Sequence, residues 1–265
     1  MSADGWQPRL ADMTSPELRA RLDATDLVII PVGATEQHGP HLPLSTDSIN
    51  IAAVAEDAAR AENVLVAPTI PYGVSENHLA FCGTIAVRPQ TLTALLVDIG
   101  QGLLSHGFSR LLLLNGHGGN YEAMALAAHE LRRLHPDAVI GLTDLASFVY
   151  DGYEPASRII YHADEGETAH TLAVAPQLVR MERAVREVTD SFSDYYHRYC
   201  AGDGEMTGRL SYGVPRTETM TRSGVMGDAT LATPEAGQRM HAVAVNGLCA
   251  IVRDVKSRQA VAPPA

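Results

Sequence analysis

LVIIPVGATEQHGPHLPLSTDS, residues 27–48, reads as a strand, a polar loop and the start of a helix. Leu27 to Ala34 is largely apolar and carries Val and Ile, the composition of a parallel strand buried on both faces. From Ser48 to Ala61 an Ala-rich helical pattern follows, with Asp47 placed to cap it. The loop between packs Glu36, His38, His41 and Asp47 close together. Loops at the carboxyl ends of strands in open α/β sheets are where ligands bind. A divalent cation is the simplest reason for carboxylates and imidazoles to crowd there, since it binds both and cancels the repulsion between the acids.

The same alternation runs outward from this stretch. Upstream, residues 1–13 read as a loose arm, and Ser15 to Leu22 as a short helix with Ser15-Pro16-Glu17 as its start signal. Downstream, Val64 to Ala67 is a second short strand and Thr84 to Val87 a third strand signal. Pro89 to His106 is an amphipathic helix: Leu92, Leu95, Leu96, Ile99 and Leu103 recur at helical spacing, and Gly107 ends it. Arg110 to Leu114 is another buried strand, Asn115 to Asn120 a Gly-rich turn, and a helix follows to about Leu134. Ala138 to Leu142 is a strand again.

Tyr161 to His170 is a second polar cluster leading into a helix, and Thr233 to Val255 a final helix. The pattern predicts an α/β layered sandwich with a mostly parallel central sheet. The expected organisation is a single domain, 1–265, with a polar excursion or lid at about 186–222 and a disordered tail from Ala260.

Composition narrows the function. A net charge of -11 argues against nucleic-acid or anionic-membrane partners. No apolar stretch approaches the roughly 18–20 residues of a membrane span, and the N-terminus does not read as a signal peptide. Cys82, Cys200 and Cys249 are odd in number and far apart, as in reduced thiols. A cytoplasmic location is expected.

The chemistry-bearing residues lie in three segments. Glu36 and His38 sit two apart, which in an extended segment puts both side chains on one side. Asp47 follows, and its two oxygens suit it to bridge two cations; it could equally act as a plain N-cap. His117 stands on the Gly-rich turn after a different strand, so four residues from two strand ends could converge. The second cluster adds Glu167 as a fifth candidate ligand, with His162 and Glu165 as candidates for proton transfer. Glu165 and Glu167 could instead be first-turn acids on a helix dipole. His78 is a candidate substrate contact. Imidazole and carboxylate without thiolate suit Zn, Mn, Fe or Ni. Two such ions about 3.5–4 Å apart can hold a hydroxide between them and polarise a carbonyl.

GATEQHGPHLPLSTD (33–47), PYGVSENHLAFCGTI (71–85), LLLLNGHGGN (111–120) and HADEGETA (162–169) resemble the creatininase family of metal-dependent amide hydrolases, as does SGVMGDATLATPEAG (223–237). The resemblance covers most of the chain. It implies a layered α/β sandwich, trimeric or hexameric assembly, and two divalent ions per subunit. One ion would take Glu36, Asp47 and His117; the other would take His38, Asp47 and a further carboxylate. Creatininases proper carry Tyr then Glu after the histidine that matches His117, and that Glu is a ligand. Gly118 and Gly119 stand there in this chain, and Glu167 is the expected substitute.

Creatininases also hold their flat substrate with tryptophans, whereas the one tryptophan here, Trp6, lies outside the motifs. Asp164 replaces a usual Gly and could tune the second metal or point outward. The function expected is hydrolysis of a non-peptide C–N bond, linear or cyclic, in a small molecule rather than in creatinine itself. The alternatives are a peptidase-like member trimming a modified peptide and a non-catalytic metal-binding oligomer.

Overall fold

The computed structural model describes residues 7–146, 155–157, 161–188 and 216–259. Four parallel strands form the central sheet: β1 (Leu27–Val32), β2 (Leu65–Val66), β3 (Arg110–Asn115) and β4 (Val139–Asp144), in the order β2-β1-β3-β4. β1 is buried along its whole length, as its unbroken apolar run requires. β1 and β3 pair from Leu27↔Arg110 to Val32↔Asn115, so both strands end level with one another.

Successive side chains point to opposite faces of the sheet, and two cores result. Leu27, Ile29, Leu112 and Leu114 pack on one face against α2 (Thr46–Glu62), with α5 (Glu165–Val174) beyond it and α6 (Pro234–Ser257) beside it on the sheet. Val28, Ile30, Leu111 and Leu113 pack on the other face against α3 (Pro89–Ser105) and α4 (Tyr121–Leu134). The expected layered α/β sandwich is therefore the fold. The α3 stripe buries Leu92 and Leu96, and Gly107, at φ 110°, takes the chain out of that helix.

Several local expectations change. The helix α1 (Ser15–Leu22) is capped by Thr14, not Ser15, because Thr14 and Glu17 form a reciprocal capping box. Within the expected loose arm, residues 7–13 are held down: Arg9 makes a two-point ion pair with Glu56, and Leu10 and Met13 pack against the core. Thr84 to Val87 forms no strand. Squeezed between the turn at Gly83 and Pro89, it makes isolated bridges only, Thr35↔Ile85 and Gly73↔Ala86. Asp47 does not cap α2, which begins at Thr46 with Ser45 as its N-cap. Asp47 lies in the first turn, and its carboxylate turns to the neighbouring loops.

Trp6, Cys200, most of the 186–222 excursion and the tail from Ala260 lie outside the described residues. The excursion's two ends are within them. Arg186–Glu187 (β5) pairs antiparallel with Gly227–Asp228 (β6), and Thr217 reaches the site described next.

Candidate metal centre

The level ends of β1 and β3 put the loop 33–45 beside the turn that carries His117. Asn120 straps these loops together: its Oδ1 accepts from Val74 N at 2.9 Å, and its Nδ2 donates to Gly33 O at 3.0 Å. The first turn of α2 brings Asp47 in from one side and the start of α5 brings Glu167 from another. His162 arrives on a segment bridged to Met226. Its neighbour Ala163 sits at φ 49°, a left-handed conformation costing roughly 1 kcal/mol for a residue with a Cβ. Its N–H donates to Glu167 Oε2 at 2.5 Å.

The side chains converge in overlapping sets: Glu36, Asp47 and His117; His38, His162 and Glu167; and Glu36, His78 and His162. His117 Nδ1 lies 3.4 Å from Glu36 Oε1 and 3.3 Å from Asp47 Oδ2. His38 Nε2 lies 3.2 Å from Asp47 Oδ1 and 3.7 Å from Glu167 Oε2. Asp47 thus turns one oxygen to His117 and the other to His38.

Both rings are prepared as ligands by their second nitrogen. His117 Nε2 donates to Val74 O at 3.0 Å and His38 Nδ1 to Glu36 O at 3.2 Å, which leaves His117 Nδ1 and His38 Nε2 turned to the centre. Both Glu36 oxygens, His38 Nε2 and Asp47 Oδ2 are buried with no hydrogen-bond partner among the described residues. Orphaned buried carboxylate and imidazole atoms are costly. An oxygen-and-nitrogen donor set of this kind fits divalent cations.

Electrostatics make the same point. Burial pushes the Glu36 carboxyl above its ordinary range, and Asp47 adds to this against the opposing His117 and His38. Burial works against charge on His38, but Asp47, Glu167 and Glu36 outweigh it and hold the ring up at about 10. Burial likewise opposes charge on His117, which Glu36 and Asp47 hold at about 9. Burial would raise Asp47, yet His38 and His117 hold it well below the usual range. Glu167 is raised to about 8, by burial first, with His38 opposing and Asp47 and Asp164 adding. In the metal-free protein Asp47 stays ionised between two protonated imidazoles, whose protons a cation would displace.

Of the residues expected in the site, Glu36, His38, Asp47, His117, Glu167, His162 and His78 are brought together. Glu165 is not. Its oxygens accept from Ala156 N at 3.0 Å and Ser157 N at 2.7 Å, so it braces a neighbouring segment. Asp164 does not point outward: it is buried and caps α5, accepting from Glu167 N and Tyr161 N. The glycine at 119 has a steric reason. A Cβ there would lie 2.2 Å from Val74 O and 2.7 Å from His117 Nε2. No carboxylate fits at that position, and Glu167 stands beside His38 instead.

Sequence reading missed Gln37, whose amide lies between His78 and His162, and Thr217, whose hydroxyl is 3.1 Å from His78 Nδ1. The only signal for Gln37 was its place between two candidate ligands. A groove of about 390 Å³ between α3 and α4, lined by Thr93, Val97 and Leu126 among others, shares no residue with this cluster.

The family model for creatininase, described as creatinine amidohydrolase, matches residues 11–252. A mycofactocin precursor peptide peptidase of Mycolicibacterium smegmatis is 35% identical over 246 residues, covering 90% of this chain and 87% of that protein. A 3-dehydro-scyllo-inosose hydrolase of Thermotoga maritima is 31% identical, covering 93% of this chain and 83% of that protein. Among solved structures, the manganese form of creatininase superposes with a TM-score of 0.81 at 26% identity, covering 96% of this chain and 100% of that one.

Proposed function

Because the chain belongs to the creatininase family and is a hydrolase of C–N bonds, we propose that it is metal-dependent and cleaves a linear or cyclic amide in a small molecule at a pair of divalent cations, Zn, Mn or Fe. Glu36, Asp47 and His117 would hold one ion, and His38, Asp47 and Glu167 the other. The observation that carries this reading is the set of buried Glu36, His38 and Asp47 atoms that make no hydrogen bond among the described residues and face a common centre.

Bound cations supply an acidified water for attack on the carbonyl and positive charge against the oxyanion. The protein supplies the rest. His162 donates its Nε2–H to Gln37 O at 2.9 Å and turns Nδ1 to the centre, 3.7 Å from Glu36 Oε1. Burial first, then the neighbouring His38 and His78, keeps that ring neutral. It can therefore take a proton and pass it to the leaving nitrogen. Glu165, expected to share this task, instead anchors the 156–157 backbone.

The peptidase reading has its own support in the 35% identity to the mycofactocin peptidase. One experiment separates the two. Chelator-stripped protein is reloaded with Zn, Mn or Fe and offered small linear and cyclic amides beside short peptides trimmed at their C-terminus. Metal-restored turnover of the small amides supports the first reading, and turnover of peptides alone the second. Stoichiometric metal binding with no turnover in either panel would favour the non-catalytic oligomer. A trimer or hexamer in light scattering and a cytoplasmic location complete the proposal.

A further inference from the structure

Gln37 stands between His78 and His162, and its surroundings leave its amide one orientation. Oε1 accepts from Gly39 N–H at 2.9 Å, which can only donate. Nε2 faces Gly224 O at 3.2 Å, which can only accept. Nε2 is therefore the amide nitrogen, and its second hydrogen has two imidazole nitrogens within 2.9 Å: His78 Nδ1 and His162 Nε2. His162 Nε2 is also 2.9 Å from the backbone oxygen of Gln37. A carbonyl cannot donate, so His162 Nε2 carries the hydrogen and cannot accept one from the amide. The amide's second hydrogen goes to His78 Nδ1, the one acceptor left to it; the Thr217 hydroxyl, 3.1 Å from the same nitrogen, rotates freely and can donate or accept there, so it follows the amide rather than setting the tautomer.

We infer that Gln37 is a positioning residue that fixes both rings as the Nε2–H tautomer and so gives them opposite polarity toward the site. His162 presents its bare Nδ1 to Glu36. His78 presents Nε2–H, because it is Nε2 that lies on the Glu36 side, 3.9 Å from Oε1. Though His78 stands in a potential ligand set with Glu36 and His162, its N–H makes it a hydrogen-bond donor rather than a metal ligand. The two rings lie with centroids 4.4 Å apart, tilted 39° to one another, so one residue sets an acceptor and a donor side by side. If the amide-hydrolysis reading holds, the substrate atom that His78 contacts is an acceptor, the carbonyl oxygen that becomes the oxyanion. This last step rests on that reading; the tautomers do not.

The test is long-range ¹H–¹⁵N correlation of the histidine-labelled protein, metal-free and zinc-loaded, with His78 and His162 assigned through H78F and H162F. Expected for both rings are a protonated, pyrrole-type Nε2 and a bare, pyridine-type Nδ1, with His78 keeping that pattern when zinc is added. In Q37E the second carboxylate oxygen cannot donate to His78, so its pattern inverts. His162, held by a backbone oxygen, keeps its pattern, and metal content stays at the wild-type level. Loss of the His78 donor should lower kcat by about 10²-fold with KM little changed.

A bare Nε2 on His78 in the wild type, or an unchanged His78 pattern in folded Q37E, overturns the inference. If Q37E does not fold, the wild-type spectrum alone decides. Correct tautomers in a protein that hydrolyses no amide would leave Gln37's role standing and overturn the functional reading instead.

Discussion

Asp47 Oδ1 lies 3.2 Å from His38 Nε2, while the other Asp47 oxygen has turned to the His117 side of the centre. This split makes Asp47 the hinge of the whole site. Asp47→Ala should remove both metals, and elemental analysis finding two per subunit would exclude a bridging role. Asp47→Asn, which keeps the shape and loses the charge, should retain at most one.

Metal loading should release protons. His38 at about 10, His117 at about 9 and Glu167 at about 8 are protonated in metal-free protein at pH 7, and each must lose its proton to become a ligand. Apparent affinity should therefore rise with pH. Calorimetric titration in buffers of different ionisation heat should find about two to three protons released per subunit, and buffer-independent heats would contradict the arrangement.

The same groups set the stability of the stripped protein. His38 and His117 lie above the unfolded imidazole value of about 6.5. Their ion pairs with Glu36 and Asp47 stabilise the fold fully below that value and are lost as pH climbs through about 9 to 10. Thermal melts of chelator-treated protein should fall across that window and flatten out when metal is restored. A melting temperature indifferent to pH there would show that these pairs contribute nothing.

Glu165 and Glu167 are two residues apart and should behave differently. Glu167→Gln should weaken metal on the His38 side and cut turnover strongly. Glu165→Gln should leave metal content unchanged, because its oxygens are spent on Ala156 and Ser157 amides. Equal metal loss in both variants would mean that Glu165 also reaches the centre.

Gly119→Glu places a carboxylate where creatininases carry one, yet it should not strengthen metal binding. Its Cβ would collide with the Val74 carbonyl and the His117 ring. Lower melting temperature and lower metal content are expected, and a gain in affinity would show that the 74–119 contact yields easily.

Much of this was legible in the chain. The apolar runs of β1 and β3 and the Leu stripe of α3 carry enough local signal to fix the layers. Glu36, His38, Asp47 and His117 follow from charge and imidazole concentrated at strand ends. What failed was direction. Asp47 read equally as an N-cap and as a bridging ligand, and Glu165 read as a proton-transfer candidate two residues from the candidate ligand Glu167. Which way a side chain turns depends on backbone brought from elsewhere, here the 156–157 amides and the Ala163 turn. Gln37 and Thr217 carry no charge, so nothing local distinguishes them from ordinary loop residues.

The in-register pairing of β1 with β3, Val32 opposite Asn115, has a further meaning. The span between the two halves of the cradle is set by a deeply buried ladder, not by the loops that bear the ligands. Sliding one strand by a single residue would carry His117 about 3.3 Å along and invert which core its neighbours fill. Drift in surface segments, by contrast, leaves that span untouched. A scaffold built this way can exchange its rim for a new clientele while its reactive heart stays put, which suits a lineage whose relatives are named for substrates as unlike as a peptide and an inosose.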